Sequence, residues 1–449
     1  MRKLLLVNPV GRKSGYMLSR FTRFQPMGLG YVAAVTPPGW DIELIDENIE
    51  PFRFKPADLV AITAFSSNIN RAYDIARVCR DNGVTVVLGG IHVSMAPEEA
   101  LAHGDSIVVG EVENVWPQVI ADVENNCLAR RYDGPMVDMT RFNITPRRDL
   151  FDPSYLWQSV QTSRGCPFDC SFCSVTRHLG SAYRKRPARN VLEELEQIQG
   201  KYIAFVDDNL IGYGRSSVSE SKQLFQGMID RQLNKTWWMQ TSMNAAADEE
   251  VISLAARAGC VFAFIGFETI DTRSLTAMKK GVNLKTGVDN YKTVIQRFHK
   301  HGIGVMGAFI LGNDYESKQY YKDLGRFMVR SGVDIFQISI LTPLPGTRLM
   351  DTLVSENRLI HHTFPSDWDK YRFSYMVHQP KGVTPDTVYT ADNYLKKQLY
   401  RFPGYPLRLV RSLLHLKNLT SFAVTYKLNQ ALKKSWKNSH YFRKYPTDL

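Results

Sequence analysis

Short apolar runs recur along the first third of the chain with the spacing of buried strands. They are "KLLLVNP", "IELIDEN", "DLVAITAF", "VTVVLGG" and "SIVVGE". Between or after them lie the helical patterns "PMGLGYVAAV", "NINRAYDIARVCRDNG", "APEEALAHG" and "ENVWPQVIADV". Near-continuous apolar strands alternating with helices predict a parallel, doubly wound sheet. A ligand of such a sheet lies beyond the carboxyl ends of its strands. Those ends carry Asn8, Asp46, Ala64-Phe65-Ser66, Gly89-Gly90 and Gly110-Glu111. The paired glycines open the backbone to a large flat ligand, or make a tight strand-to-helix turn.

A polar, proline-containing stretch, "RRYDGPMVDMTRFNITPRRDLFDPSY", reads as a linker or lid. A second alternating series follows, with strands in "SVQTS", "YIAFVDD", "TWWMQTS", "VFAFIGFE", "GIGVMGAFILG" and "VDIFQISILTP". Six β/α units predict a partial barrel whose chemistry lies at the carboxyl ends of its strands. Trp237 and Trp238 in the third strand read as core and barrel wall. Beyond residue 350 the alternation stops and helical stretches take over. The expected fold is therefore α/β: a flavodoxin-like parallel sheet, a (β/α)6 partial TIM barrel, and a small, mainly α extension. The expected boundaries are 1–130, a linker 131–157, 158–348 and 349–449.

Composition narrows the class. The 449 residues are 44% hydrophobic and 22% charged, as in an ordinary globular protein of two or three domains. The opening "MRKLLLVNPV" has too short an apolar run for a signal segment, and no later run has the length of a membrane span. Six cysteines in this length do not make a disulfide framework and fit a reducing cytoplasm. The net charge of +12 is concentrated at the end: ten Lys or Arg follow from Arg401 onward, against one acid, Asp448. In "LRLVRSLLHLKNL", Arg408, Arg411 and His415 fall on one helical face. That face reads as an exposed basic stripe, or as a peripheral contact with an anionic membrane.

Half of the cysteines lie in "SRGCPFDCSFCSV", directly after the first barrel strand. Cys166, Cys170 and Cys173 are spaced C-x3-C-x2-C. Three thiolates suit zinc if a fourth ligand joins them, with His178 nearest in sequence, or an iron–sulfur cluster with one iron left open. Pro167 and Phe172 stiffen and cover the loop.

This loop resembles that of the radical S-adenosylmethionine (SAM) superfamily. The likeness continues through "AFVDDN", "FIGFET", "GAFILGNDYES" and "LTPLPGTRL". The segments "PMGLGYVAAVTP" and "LGGIHVSMAPEEA", with "VVGEVENVW", are similar to the cobalamin-binding domain that precedes one class of these barrels. The resemblance implies that Cys166, Cys170 and Cys173 ligate a [4Fe–4S] cluster whose open iron chelates SAM. Reductive cleavage of SAM would yield methionine and a 5′-deoxyadenosyl radical, which takes hydrogen from substrate. Glu268 would bind the ribose. Asp207 or Asp208 would hold the methionine ammonium or face substrate. Gln240 and Asn244 would reach the methionine carboxylate, and Phe172 would line the SAM site.

Cobalamin would lie against Asn8, Asn48, Ala64, Ser66, Gly89, Gly90, Gly110 and Glu111. Many such domains carry D-x-H-x-x-G, whose histidine ligates cobalt. Here "DENIEP" places Asn48 at that position, so the implied cobalamin is base-off without a histidine ligand. The implied activity is methylation of an unactivated carbon, by methylcobalamin, on a hydrophobic or polycyclic small molecule. The branch indicated includes hopanoid- and tetrapyrrole-modifying enzymes. A ring-forming or rearranging radical enzyme, and a non-catalytic iron–sulfur or cobalamin sensor, are the rivals. A low-potential donor such as flavodoxin or ferredoxin is the implied protein partner, with no nucleic acid. The location expected is the cytoplasm, with membrane-peripheral contact as the variant.

Overall fold

The computed structural model describes residues 1–11 and 23–449. The first sheet comprises β1 (Arg2–Asn8), β2 (Trp40–Asp46), β3 (Leu59–Thr63), β4 (Thr85–Gly89), β5 (Ser106–Gly110) and β6 (Arg131–Gly134). Its order is β2-β1-β3-β4-β5-β6 and every pair is parallel. The order reverses between β1 and β3, and this is the crevice where doubly wound sheets take ligands. Leu4, Leu5, Leu6, Val60 and Val86 are fully buried, so both faces are covered, as the continuous apolar runs require. The segment read as a linker begins with β6, whose polar sequence "RYDG" hides an edge strand.

The second unit opens with β7 (Gln158–Val160), followed by a short antiparallel ribbon of β8 (Ser163–Arg164) and β9 (Arg184–Lys185). Then come β10 (Tyr202–Phe205), β11 (Thr236–Thr241), β12 (Cys260–Glu268), β13 (Gly304–Leu311) and β14 (Ile335–Ile340). The parallel order β14-β13-β12-β11-β10-β7 leaves the barrel open between its first and last strands. Alternation sorts the tryptophans of β11: Trp237 packs among the outer helices, while Trp238 stacks on Phe262 at 5.2 Å on the other face.

The C-terminal extension is built into both units. Leu428 of the helix Leu419–Lys437 joins the cluster around Trp238 and Phe262, filling the concave side of the open barrel. Trp368, Tyr371 and Val377 belong to the core of the first sheet, and Trp368 Nε1 donates to Glu99 Oε2 at 2.9 Å. His378 is buried and donates from Nε2 to the Gly312 carbonyl at 3.1 Å, tying the extension to the end of β13.

Burial pushes the His378 imidazole down to about 4. The unfolded chain therefore takes up this proton first, near pH 6.5. The stability held by the neutral ring is full above that value and is lost as pH falls through about 4. Denaturant titrations should show this as a slope of up to ~1.4 kcal/mol per pH unit, removed in His378→Gln.

The tail helix Gly404–Leu416 departs from the sequence expectation at Arg408. Arg408 is buried, donating to the carbonyl of Asp334 at 2.9 Å and to Asn429 Oδ1 at 3.0 Å. Arg411 donates to the Val329 carbonyl at 3.2 Å, and the His415 ring lies 5.3 Å from that of His299. Arg408 is drawn in because a buried carbonyl needs donors, and the Asp334 carbonyl takes Arg408 and Asn429 together, while Arg411 and His415 stay exposed. Among the described residues no helix is long and apolar enough to cross a membrane.

Candidate active site

The cysteine loop is held from three sides at the mouth of the barrel. The Thr176 hydroxyl donates to the carbonyls of Cys166 and Phe168, at 3.2 and 2.8 Å. Ser171 N donates to the Met278 carbonyl at 2.9 Å, and Leu349 N to the Ser171 carbonyl at 2.9 Å. Arg348 forms an ion pair with Asp169 at 2.7 Å. The turn after β12 and the "PGTRL" segment after β14 therefore fix a loop that has little regular structure of its own.

Cys166, Cys170 and Cys173 are half-buried free thiols. Burial raises all three, Cys173 to about 12, so in the bare loop they are protonated. Thiolate chemistry here requires a cation, and coordination deprotonates a thiol outright. The surroundings fit a cluster better than a single ion. His178, the zinc candidate, faces Glu111 and Arg164 instead, with its Nδ1 buried and unpaired.

Glu268 closes β12 in a left-handed conformation, φ 64°, where the ladder to β13 bulges. A non-glycine residue held in this region is costly and clusters at functional sites. Asn283 supports the bulge, donating to the carbonyls of Gly266 and Phe267 at 3.0 and 2.9 Å. A side chain at Gly266 would collide with the folded-back carboxylate. Glu268 pairs with Lys280 at 2.6 Å. Burial disfavours the Lys280 ammonium, but Glu268 and then Cys170 outweigh it and hold the amine above its ordinary value. Lys280, whose Nζ lies 5.8 Å from the Phe172 ring centre, was not singled out in the sequence. The linear sequence carries no signal for it, since the helix Thr272–Ala277 separates it from "GFE". Glu268→Gln should raise the KM for SAM about ten- to a hundredfold while iron content stays constant.

The acidic pair after β10 divides its roles. Asp207 is buried and accepts from Thr162 N at 2.9 Å, Thr162 Oγ1 at 2.9 Å and Ser163 Oγ at 2.6 Å, so it braces the segment between β7 and the cysteine loop. All three donors meet Oδ1, and Oδ2 is buried without a partner. Asp208 is exposed at the mouth, and its carboxyl is pushed up to about 6 by desolvation and then by Asp207. Gln240 is half-buried on the same face of β11 as Trp238. Asn244 donates to the Gly212 carbonyl at 2.9 Å and lines a cavity of about 1000 Å³ outside the strand ends. Tyr213 borders that cavity and meets Phe168 of the cysteine loop edge-on at 5.5 Å.

At the crevice of the first sheet, Asn8 Nδ2 donates to Asp46 Oδ1 at 2.8 Å and the Tyr155 hydroxyl bonds to Asp46 Oδ2. Asn48 gives its backbone N–H to Asp46 Oδ1 at 2.9 Å, and its carbonyl accepts from Arg23 at 2.9 Å. Ala64 is buried, and Phe65 beside it is 62% exposed. Ser66 Oγ lies 2.9 Å from His92 Nδ1. An added Cβ at Gly89 would meet nothing closer than 3.9 Å, whereas one at Gly90 would press on Ala64. An exposed aromatic face beside open backbone fits a large planar corrin. Three of the sequence-predicted contacts have structural roles instead. Gly90, φ 96°, is needed for the approach of the β4 turn to β3. Gly110, φ 87°, would as any other residue collide with the Gly134 carbonyl of β6.

Glu111 is the third, and it belongs to the junction of the two sheets. Its carboxylate accepts from Val137 N at 2.6 Å and pairs with Arg164 at 3.1 Å and with Arg184. Burial works to raise this carboxyl, but Arg184 and Arg164 hold it below the usual range. Arg164 also pairs with Glu113 and lies over the rings of Phe142 and Tyr31. Arg164 is two residues before Cys166, so a buried ion-pair network joins the first sheet directly to the cysteine loop.

A flavodoxin-like sheet docked through buried charges on an open barrel with a three-thiol loop at its mouth is the plan of a corrinoid-associated radical enzyme. The Radical SAM superfamily model matches residues 160–328, and the B12 binding domain model matches residues 14–120. Bacteriochlorophyllide d C-8(2)-methyltransferase of Chlorobaculum tepidum is 31% identical, across 90% of this chain and 95% of its own. Hopanoid C-2 methylase of Rhodopseudomonas palustris is 30% identical, across 75% of this chain and 65% of its own. In fold, the chain is similar to the cobalamin-dependent radical enzyme OxsB with aqua-cobalamin and SAM bound. The TM-score is 0.70 at 14% identity, covering 97% of this chain and 71% of that one. The chain belongs to the radical SAM superfamily, in its cobalamin-dependent methyltransferase branch. Its cofactors are a [4Fe–4S] cluster, SAM and cobalamin.

Proposed function

We propose that this enzyme methylates an unactivated carbon of a flat, hydrophobic small molecule bound between the two sheets. The observation that carries the reading is the junction: the Arg164–Glu113 pair ties the carboxyl end of β5 in the first sheet to the segment that leads into the cysteine loop. Relatives named for bacteriochlorophyllide and hopanoid methylation support a polycyclic substrate. Cys166, Cys170 and Cys173 would hold the cluster, and Asn8, Ala64, Ser66 and Gly89 would border the corrin. When bound, the cluster supplies the electron that cleaves SAM and the corrin supplies the transferred methyl group.

The chain's own part is placement. Glu268 presents a carboxylate to the ribose hydroxyls, which donate to it. Lys280 neutralises that carboxylate until SAM arrives and offers its ammonium as a donor toward the methionine carboxylate. Asp208 accepts from the methionine ammonium once it is ionised. The flanking Trp238 and Phe262 keep the barrel interior dry, which protects a radical from quenching.

The proposed division is a cobalamin domain reaching Gly134, a linker to residue 157, the barrel to 348 and the extension beyond. A low-potential flavodoxin or ferredoxin is the proposed donor, in the cytoplasm. The test is an anaerobic absorption spectrum after incubation with hydroxocobalamin and desalting. A retained cobalamin band supports the reading, and its loss rejects the assignment of the first sheet.

A further inference from the structure

The tail helix buries Arg408, leaves Arg411 and His415 exposed, and presents most of its apolar residues outward. Leu407 is 62% exposed, Val410 54% and Leu414 65%, at spacings of three and four that place them on one face. Phe402, 85% exposed, precedes the helix, and Leu419, 77% exposed, follows it. The arrangement inverts that of an ordinary surface helix, which buries its apolar stripe. The stripe is apolar, yet its setting is basic: Arg401, Lys417 and Lys427 are exposed in the same segment, and the only acid after Arg401 is Asp448. The helix sits under the amino ends of the strands, because Arg408 caps the Asp334 carbonyl just before β14. The cysteine loop lies at the opposite ends, so an occupant of the stripe leaves the barrel mouth free.

We propose that the stripe Phe402–Leu419 seats the enzyme on an anionic lipid bilayer, with its apolar side chains entering the interface and the flanking cations meeting lipid headgroups. Charge selects this occupant. A second copy of the chain would bring the same uncompensated cations face to face, whereas an anionic bilayer offers both an apolar boundary and the opposite charge. Anchoring does not depend on the catalytic reading and has its own readout.

Full-length protein is sedimented with vesicles of phosphatidylcholine alone and of phosphatidylcholine with phosphatidylglycerol. Binding to the anionic vesicles, weakened by salt, and reduced about tenfold or more in Val410→Glu/Leu414→Glu, is the expected result. Because both positions are exposed, the variant keeps its melting temperature and cobalamin uptake. Equal sedimentation of wild type and variant, or binding indifferent to lipid charge, overturns the proposal. So does a concentration-dependent dimer that the variant dissociates while neither form binds vesicles, which would make the stripe an interface between copies.

Discussion

Cys170→Ala will abolish 5′-deoxyadenosine formation by the reduced, reconstituted enzyme and leave cobalamin uptake near the wild-type level. The middle thiol is the one whose surroundings include both Lys280 and Glu268, so it borders the SAM-facing acid–base pair. With two thiols left, a cubane loses one of its three protein-held irons, and a cluster so deprived does not keep an open iron in register with Glu268. The loop itself is anchored by backbone contacts at Cys166, Ser171 and Leu349, so the fold survives the substitution. Iron analysis and deoxyadenosine chromatography read the two halves of this result. Deoxyadenosine at wild-type yield from Cys170→Ala would remove this loop as the cluster site.

Arg164→Ala should have the largest effect of any substitution away from the thiols. It leaves Glu113 buried without its ion-pair partner, and Glu111 with Arg184 and the Val137 N–H. Breaking a buried pair by deleting one partner costs about 3–5 kcal/mol, because the remaining charge stays desolvated. Arg164→Lys will not rescue it, since an ammonium cannot fork between two carboxylates as a guanidinium does. Arg164→Ala combined with Glu113→Gln should recover part of the stability, and the double-mutant cycle measures their coupling. The catalytic signature is separate from melting: methyl transfer should fall more than deoxyadenosine formation, because the junction sets the distance between the two sheets. Equal losses of both activities would make Arg164 purely structural.

Strand positions were legible because parallel strands buried on both faces must be continuously apolar, and the runs from "KLLLVNP" to "VDIFQISILTP" are. β6 escaped because an edge strand of four residues, "RYDG", carries no apolar signal. The cysteines and Glu268 were legible as motifs. Lys280 and Arg164 were not, since nothing in a linear pattern says that a basic residue will be buried against carboxylates 12 or 51 positions away. Glu111 was misassigned for the same reason. It lies at a strand end where ligands bind, but its carboxylate is taken by protein donors that only the tertiary fold brings near. The tail shows the opposite failure. Its periodicity was read correctly as amphipathic, but Arg408 turns inward to a carbonyl of Asp334 that also accepts from Asn429, a partnership hydropathy does not announce.

Methyl transfer from SAM to substrate carbon is the central claim, and isotope labelling tests it most directly. The reduced holoenzyme is incubated with SAM carrying a deuterated methyl group and with chlorin or triterpenoid acceptors, and the product is weighed by mass spectrometry. The account predicts a product in which one substrate hydrogen is replaced by the labelled methyl group, formed together with 5′-deoxyadenosine. An isomeric or dehydrogenated product without label would contradict it and assign the radical to ring chemistry instead.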